Sequence, residues 1–271
     1  MIQKNSTIKV AEVNKHIVNW LKTYAENAKV NGFVVGISGG IDSAVTSTLC
    51  AQTGLKTLCL ELPIHQAASH INRKKEHIAA LKKHFPNVES VSVDLSNIFE
   101  QFKKDMPAFD NEIKLNLSLA NTRARLRMTT LYYFAGIHGL LVSGTGNKVE
   151  DFGVGFYTKY GDGGVDLSPI ADLMKSEVYA LGRFLNVSET ILNAAPTDGL
   201  FGDDRSDEDQ LGASYNELEW AMLQEEAGKN TTDFDGRNLE VYNIYKRLNN
   251  ANKHKMNPIP VCEIPKDLRQ L

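Results

Sequence analysis

The sequence lacks any apolar run approaching the ~20 residues needed to cross a bilayer, so no membrane-spanning helix is expected. The opening stretch from Met1 to Val10 carries no apolar core of the secretory kind, which leaves no signal peptide and makes the cytoplasm the expected location. Cysteine is scarce: Cys50, Cys59 and Cys262 are the three, none in Cys-x-x-Cys spacing. Cys50 and Cys59 sit in apolar runs and read as buried thiols of a reducing compartment, not as a disulfide or zinc framework. An excess of positive charge is absent too. The net charge is −3 and the pI about 6.2, which offers no basic surface for nucleic acid. There is no low-complexity tract and no internal repeat. Also missing is the Gly-x-x-x-x-Gly-Lys-Ser/Thr loop, which argues against γ-phosphate transfer of that type.

What is present fits one globular α/β domain spanning residues 1–271, with 42% hydrophobic and 23% charged residues. Val10, Val13, Ile17, Leu21 and Tyr24 recur at helical spacing and predict an opening amphipathic helix. The runs Gly32–Ile37, Leu55–Leu62, Val88–Val93 and Gly139–Gly144 read as strands. Helical patterns lie between them at about 71–84 and 117–137, with Asp94 or Ser96 able to cap a further helix. Strands alternating with helices predict a doubly wound, Rossmann-like parallel sheet flanked by helices. Its ligands would sit beyond the C-terminal strand ends. Residues 144–164 hold seven glycines and read as a long ligand-shaped loop. C-terminal helices are expected over 175–185, 189–194, 215–226 and 239–250. The acidic run Asp203–Asp209 reads as a solvated loop, with a lid or a second metal site as the alternatives.

The most informative stretch joins the first strand to its helix: Gly36-Ile37-Ser38-Gly39-Gly40-Ile41-Asp42-Ser43. Paired glycines let the backbone approach a ligand closely. Amides at the helix start then face an anion, and the helix dipole favours it. Ser38 and Ser43 add hydroxyl donors. Asp42 in such a phosphate cradle is repelled unless a cation lies between, which implies Mg²⁺. Ser-Gly-Gly-x-Asp-Ser after a first strand resembles the pyrophosphate loop of the ATP pyrophosphatases, which cleave ATP between its α and β phosphates.

Further motifs follow. In Asn121-Thr122-Arg123-Ala124-Arg125-Leu126-Arg127, the arginines read either as a solvated basic stripe or, given the apolar flanks, as paired with an anion, a carboxylate of the fold or a ligand. In Gly144-Thr145-Gly146-Asn147-Lys148-Val149-Glu150, Thr145 can bond a nucleotide and Glu150 can be a second carboxylate on Mg²⁺. Tyr157–Asp166 combines Lys159 and two aspartates with close glycines. Lys175 at a helix start opposes the dipole, which hints at a bound anion.

In combination these motifs resemble the ammonia-using NAD⁺ synthetases, from Ser38 to Lys255. The resemblance implies a ligase that amidates deamido-NAD⁺ with ammonia at the expense of ATP, through an acyl-adenylate, releasing AMP and pyrophosphate. It implies that Asp42 and Glu150 bind Mg²⁺ and, with Lys175, form the catalytic set. It places ATP against Gly36, Ile37, Ser38, Gly39, Gly40, Ile41, Asp42, Ser43, Thr145, Lys175 and Thr197. It assigns deamido-NAD⁺ to Arg125, Lys159, Asp166, His254 and Lys255. It also implies a homodimer, with no nucleic acid or membrane partner. Gly146-Asn147-Lys148 differs from the Asp-His-Ala of many ammonia-only bacterial members, leaving a separate glutaminase chain open as the source of ammonia. The competing readings are another amidating or tRNA-modifying ATP pyrophosphatase and a nucleotide-sensing module without turnover.

Overall fold

The computed structural model describes residues 8–65, 68–196 and 206–269. Helix α1 (Val10–Ala28) buries Ile17 and Leu21, as the spacing predicts, but with Ala25 in place of Tyr24, which is 41% exposed, and ends at Lys29 in the left-handed conformation. Strand β1 (Gly32–Gly36) leads into α2 (Ile41–Gln52), and β2 (Lys56–Glu61) into α3 (Ala68–His84). Strand β3 (Val88–Ser92) is followed by α4 (Ser96–Asp105), whose start is held by Asp94 Oδ1 accepting the Ser96 amide at 2.8 Å. The long α5 (Glu112–His138) then returns the chain to β4, which spans only Leu141–Val142.

All pairings are parallel and the strand order is β3-β2-β1-β4. Val34 pairs with Leu58 on one side and Val142 on the other. The chain steps outward from β1 to β3, then crosses back to place β4 on the opposite flank of β1. The order therefore reverses between β1 and β4, and the crevice beyond their C-terminal ends is the switch point where such sheets bind ligands. Alternation along β1 sends Phe33 and Val35 into a core with α1, α2 and α3, while Val34 joins α4 and α5 on the other face. Helices thus cover both faces, and the doubly wound expectation holds.

The glycine-rich stretch departs from the sequence reading. It contains a π-helical turn over Val149–Val154, closed by Gly155 at φ 66°. Val149 and Val154 are fully buried against the C-terminal helices, which compensates for the glycines. Beyond it come α6 (Lys175–Phe184), α7 (Glu189–Leu192), α8 (Asp207–Leu211), α9 (Tyr215–Glu226) and α10 (Gly236–Met256). The π-turn packs with α8, α9 and α10 into a separate apolar cluster built around Tyr215, Leu218, Met222 and Tyr242.

Candidate active site

A cavity of about 250 Å³ opens at the switch point. Its floor is the β1–α2 connection. Gly39 takes φ 87°, a conformation favouring glycine, and lets the chain turn sharply into α2. Gly40 is the N-cap of α2 and no side chain caps the helix, so the first amides of α2 stay available to a ligand. The two serines brace the loop: Ser38 Oγ and Ser43 Oγ lie 3.0 Å apart, and Ser43 Oγ donates to Gly40 O at 3.0 Å. Ser43 is buried under the loop, whereas Gly36, Ile37, Ser38, Gly39, Gly40, Ile41 and Asp42 all line the cavity.

Three charged side chains from distant segments meet above this floor. Lys175 Nζ, at the first residue of α6, lies 2.7 Å from Asp42 Oδ2 and 2.9 Å from Glu150 Oε1. Its side chain is only 4% exposed, against 17% for Asp42 and 16% for Glu150. Burial alone would lower the Lys175 ammonium, but the carboxylates of Asp42 and Glu150 more than offset it and hold its pKa far above the ordinary value. The counter-charge of Lys175 in this structure is therefore a carboxylate pair of the fold. Asp42 is oriented from its other oxygen: the fully buried Asn147 donates from Nδ2 to Asp42 Oδ1 at 3.0 Å. Asn147 Oδ1 in turn accepts the amides of Val149 and Glu150, tying the π-turn to the cradle.

Tyr215 completes the group. Its hydroxyl donates to Glu150 Oε1 at 2.6 Å, with Asp207 Oδ2 at 3.2 Å, and its ring lies 4.6 Å from Lys175 Nζ. Burial, then the carboxylates of Glu150 and Asp207, raise the phenol well above its usual pKa. Asp151 lines the same cavity. Burial, followed by the charges of Glu150, Asp162 and Asp42, pushes its carboxyl up to about 8. Arg73, Lys74 and Arg127 form a basic wall on another side. Lys74 is pulled down to about 8, first by burial and then by Arg127.

Of the remaining sequence candidates, Thr145 lines the cavity and Thr197 lies outside the described residues. Arg125, Lys159 and His254 are not among the residues lining the cavity, but they are linked to one another: Arg125 donates to Lys159 O at 3.3–3.4 Å, and Lys159 Nζ donates to His254 O at 2.7 Å. Lys255 Nζ donates to Gly155 O and Tyr157 O, both at 2.7 Å, fastening the end of the π-turn. Asp166 is engaged with the fold: Oδ2 accepts the Val142 amide at 2.8 Å and Oδ1 the Tyr132 hydroxyl at 3.0 Å. Asn147, Asp151, Asp207 and Tyr215 received no role from sequence. Asp207 belongs to the acidic run read as solvated, yet it is 6% exposed and lines the cavity. The Ser206–Asp209 capping box, legible as a helix start, was the signal that this end of the run is ordered.

The donor set suits a small hard cation. Two carboxylates converge on one cationic atom, and Glu150 Oε2 accepts no hydrogen bond among the described residues. Mg²⁺ is commonly held by one or two carboxylates together with phosphate oxygens, and a helix start of this kind has the free amides that suit a phosphate.

A family profile described as NAD synthase matches residues 13–258. The NH(3)-dependent NAD(+) synthetase of Carboxydothermus hydrogenoformans is 34% identical over 245 residues, covering 90% of this chain and 94% of that one. The enzyme of the same name from Methanosarcina acetivorans is 35% identical over 258 residues, or 93% of this chain and 98% of that one. Among solved structures, one described as NMN synthetase from Francisella tularensis superposes with a TM-score of 0.80 at 32% identity, covering 96% of this chain and 100% of that one. With the profile spanning both cradle and π-turn, the chain belongs to the NAD synthase family.

Proposed function

We propose that this cavity carries out the ATP-dependent amidation of deamido-NAD⁺ with ammonia to give NAD⁺, by way of an acyl-adenylate. The observation that carries the mechanism is the Asp42–Lys175–Glu150 triad standing over an uncapped helix start. The amides of α2 and the loop from Gly36 to Ser43 hold the triphosphate, helped by Thr145 and Thr197. Asp42 and Glu150 would hold Mg²⁺, which would supply positive charge against that gathering on the leaving pyrophosphate. Lys175, released from the carboxylates, turns its ammonium to the phosphates and supports the same charge. By the resemblance, Arg125, Lys159, Asp166, His254 and Lys255 would hold the dinucleotide and bring its nicotinate carboxylate to the α-phosphorus.

The carboxyl group is activated by ATP, so no protein nucleophile is required. Burial pushes the thiols of Cys50 and Cys59 up to about 12, which keeps them protonated and unfit to hydrolyse glutamine. Nitrogen enters as ammonia, from solution or from a separate glutaminase chain. A homodimer is supported by the exposed apolar side chains of α5, Ile113, Leu117, Tyr133 and Ile137, which are 54–83% exposed.

The test is release of AMP and pyrophosphate on mixing the protein with ATP, Mg²⁺, deamido-NAD⁺ and ammonium. No release would overturn the reading. Turnover with glutamine in a preparation free of ammonium would overturn the nitrogen source. A second reading takes nicotinate mononucleotide as acceptor, favoured by the likeness to the Francisella structure described as NMN synthetase. The ratio of kcat/KM for the two acceptors decides between them.

A further inference from the structure

We propose that Tyr215 is a positioning residue that fixes Glu150 so that its Oε2 oxygen is presented to the divalent cation. This rests on the reading of Asp42 and Glu150 as the metal-holding pair.

Two donors reach the Glu150 carboxylate, and both take the same oxygen. Lys175 Nζ is 2.9 Å and the Tyr215 hydroxyl 2.6 Å from Oε1. Glu150 itself lines the cavity, so the oxygen left over is the one a cation can use. The two donors differ in permanence. Lys175 is a charged group on a flexible stem, and like-charge repulsion would move it off the carboxylates if Asp42 and Glu150 took up a divalent ion. Tyr215 carries no charge, and a cation does not drive it away.

Its ring is locked as well. Tyr215 is 5% exposed and packs in the C-terminal apolar cluster with Leu218 and Met222. Its backbone is pinned by the Ser214–Glu217 capping box and by its own amide donating to Glu208 Oε1 at 2.9 Å. The terminal torsion of a glutamate is broad and roughly two-fold, so without this bond the carboxylate would rotate as soon as Lys175 left it. Tyr215 thus holds Glu150 through the exchange of one cation for the other. Groups that orient metal-binding carboxylates in this way typically matter 10–100-fold for affinity or activity.

The experiment uses the full chain with Mn²⁺ as a paramagnetic probe, titrated with a non-cleavable α,β-methylene ATP analogue and read by electron paramagnetic resonance. Tyr215→Phe keeps the ring and deletes the hydroxyl. It should weaken Mn²⁺ binding about tenfold or more and lower kcat similarly, with the KM for deamido-NAD⁺ little changed. Glu150→Gln is run beside it and should lose more. Wild-type Mn²⁺ affinity in Tyr215→Phe, with loss in Glu150→Gln, would overturn the role of Tyr215 alone. Wild-type affinity in Glu150→Gln would overturn the metal reading on which it rests. Placing para-aminophenylalanine at 215 keeps the outline and supplies an N–H donor, and should bring Mn²⁺ affinity back to within about threefold of wild type. Failure of that rescue in a folded protein would also overturn the proposal, and this arm stands even if Tyr215→Phe does not fold.

Discussion

Lys175→Met separates the two duties of the triad. Methionine keeps most of the apolar stem, so little cavity is created, and removes only the charge. The bonds lost are those of 2.7 and 2.9 Å to Asp42 and Glu150. Removing one partner of a buried ion pair costs about 3–5 kcal/mol, because the partners left behind are buried without compensation. Here the stranded groups are 17% and 16% exposed, and residual contact with water puts the expected loss near the low end, about 3 kcal/mol. The same vacancy should make the fold respond to metal. If Mg²⁺ binds the freed pair with a dissociation constant of about 1 mM, then about 10 mM Mg²⁺ restores roughly 1.4 kcal/mol through mass action. The wild type should gain less, since its own ammonium already occupies the place. Urea unfolding of both proteins in EDTA and in Mg²⁺ gives the four free energies needed. A variant that loses under about 1 kcal/mol in EDTA, or that gains from Mg²⁺ no more than the wild type does, would refute the idea that ammonium and metal compete for one carboxylate pair.

Other perturbations test other links. Asp42→Asn should fold but fail to release AMP or pyrophosphate, because the amide keeps the shape and the Asn147 contact region while losing the charge that holds a cation; near wild-type turnover would contradict this. Arg125→Ala should weaken deamido-NAD⁺ by about tenfold or more, roughly 1.4 kcal/mol, while ATP titrations stay unchanged. Arg125 is exposed and, among the described residues, its guanidinium bonds a single backbone carbonyl, so its denaturant melt should shift by no more than about 0.5 kcal/mol. His77 supplies a pH test. Burial lowers it from 6.5 to about 4, so the folded state binds fewer protons than the unfolded state across that window. Its contribution is complete above pH 6.5 and is lost as pH falls towards 4, by about 3 kcal/mol. His77→Gln, keeping a partner for Ser47 Oγ, which lies 2.8 Å from Nε2, should flatten that part of the urea-derived stability profile, and an unchanged slope would assign it elsewhere.

The sheet was legible because its strands announce themselves in two ways: apolar runs such as Phe33-Val34-Val35, and the turn chemistry that ends them. The cradle was legible because its function needs local backbone geometry, which only particular residues in sequence supply. Of the expected phosphate floor from Gly36 to Ser43, all but the buried Ser43 line the cavity. What escaped was what depends on the other side of the fold. Tyr215 follows Ser214 at an ordinary capped helix start, and nothing local says that its hydroxyl meets Glu150, 65 residues away. Lys175 was legible as an odd cation at a helix start, but its partners were not. Position along a helix reveals an electrostatic mismatch, whereas the group that relieves it is set by tertiary packing. The glycines between 144 and 164 misled for a related reason. A π-helical turn is paid for by burial of Val149 and Val154 in a cluster assembled from α8, α9 and α10.

The arrangement also accounts for a chemistry without a protein nucleophile. A thiol attacking a carboxyl or an amide must first be a thiolate, and the two inward thiols are held at about 12 by burial. On the proposed mechanism the carboxylate of the acceptor is the nucleophile in the first step, and ammonia supplies the second. What remains for the protein is to bring like-charged groups together: a carboxylate and a triphosphate. That demands cations and amides already in place before the reactants meet. The cradle, the basic wall of Arg73, Lys74 and Arg127, and Lys175 meet that demand from one side. Asp42 and Glu150 by themselves work against it, since two carboxylates repel both reactants. Their charge is offset while the site is empty by Lys175 and, on the reading given above, by a divalent ion when ATP is bound. On that reading the site alternates between these two states and needs a stored internal cation, a part that the 4% exposed Lys175 can play.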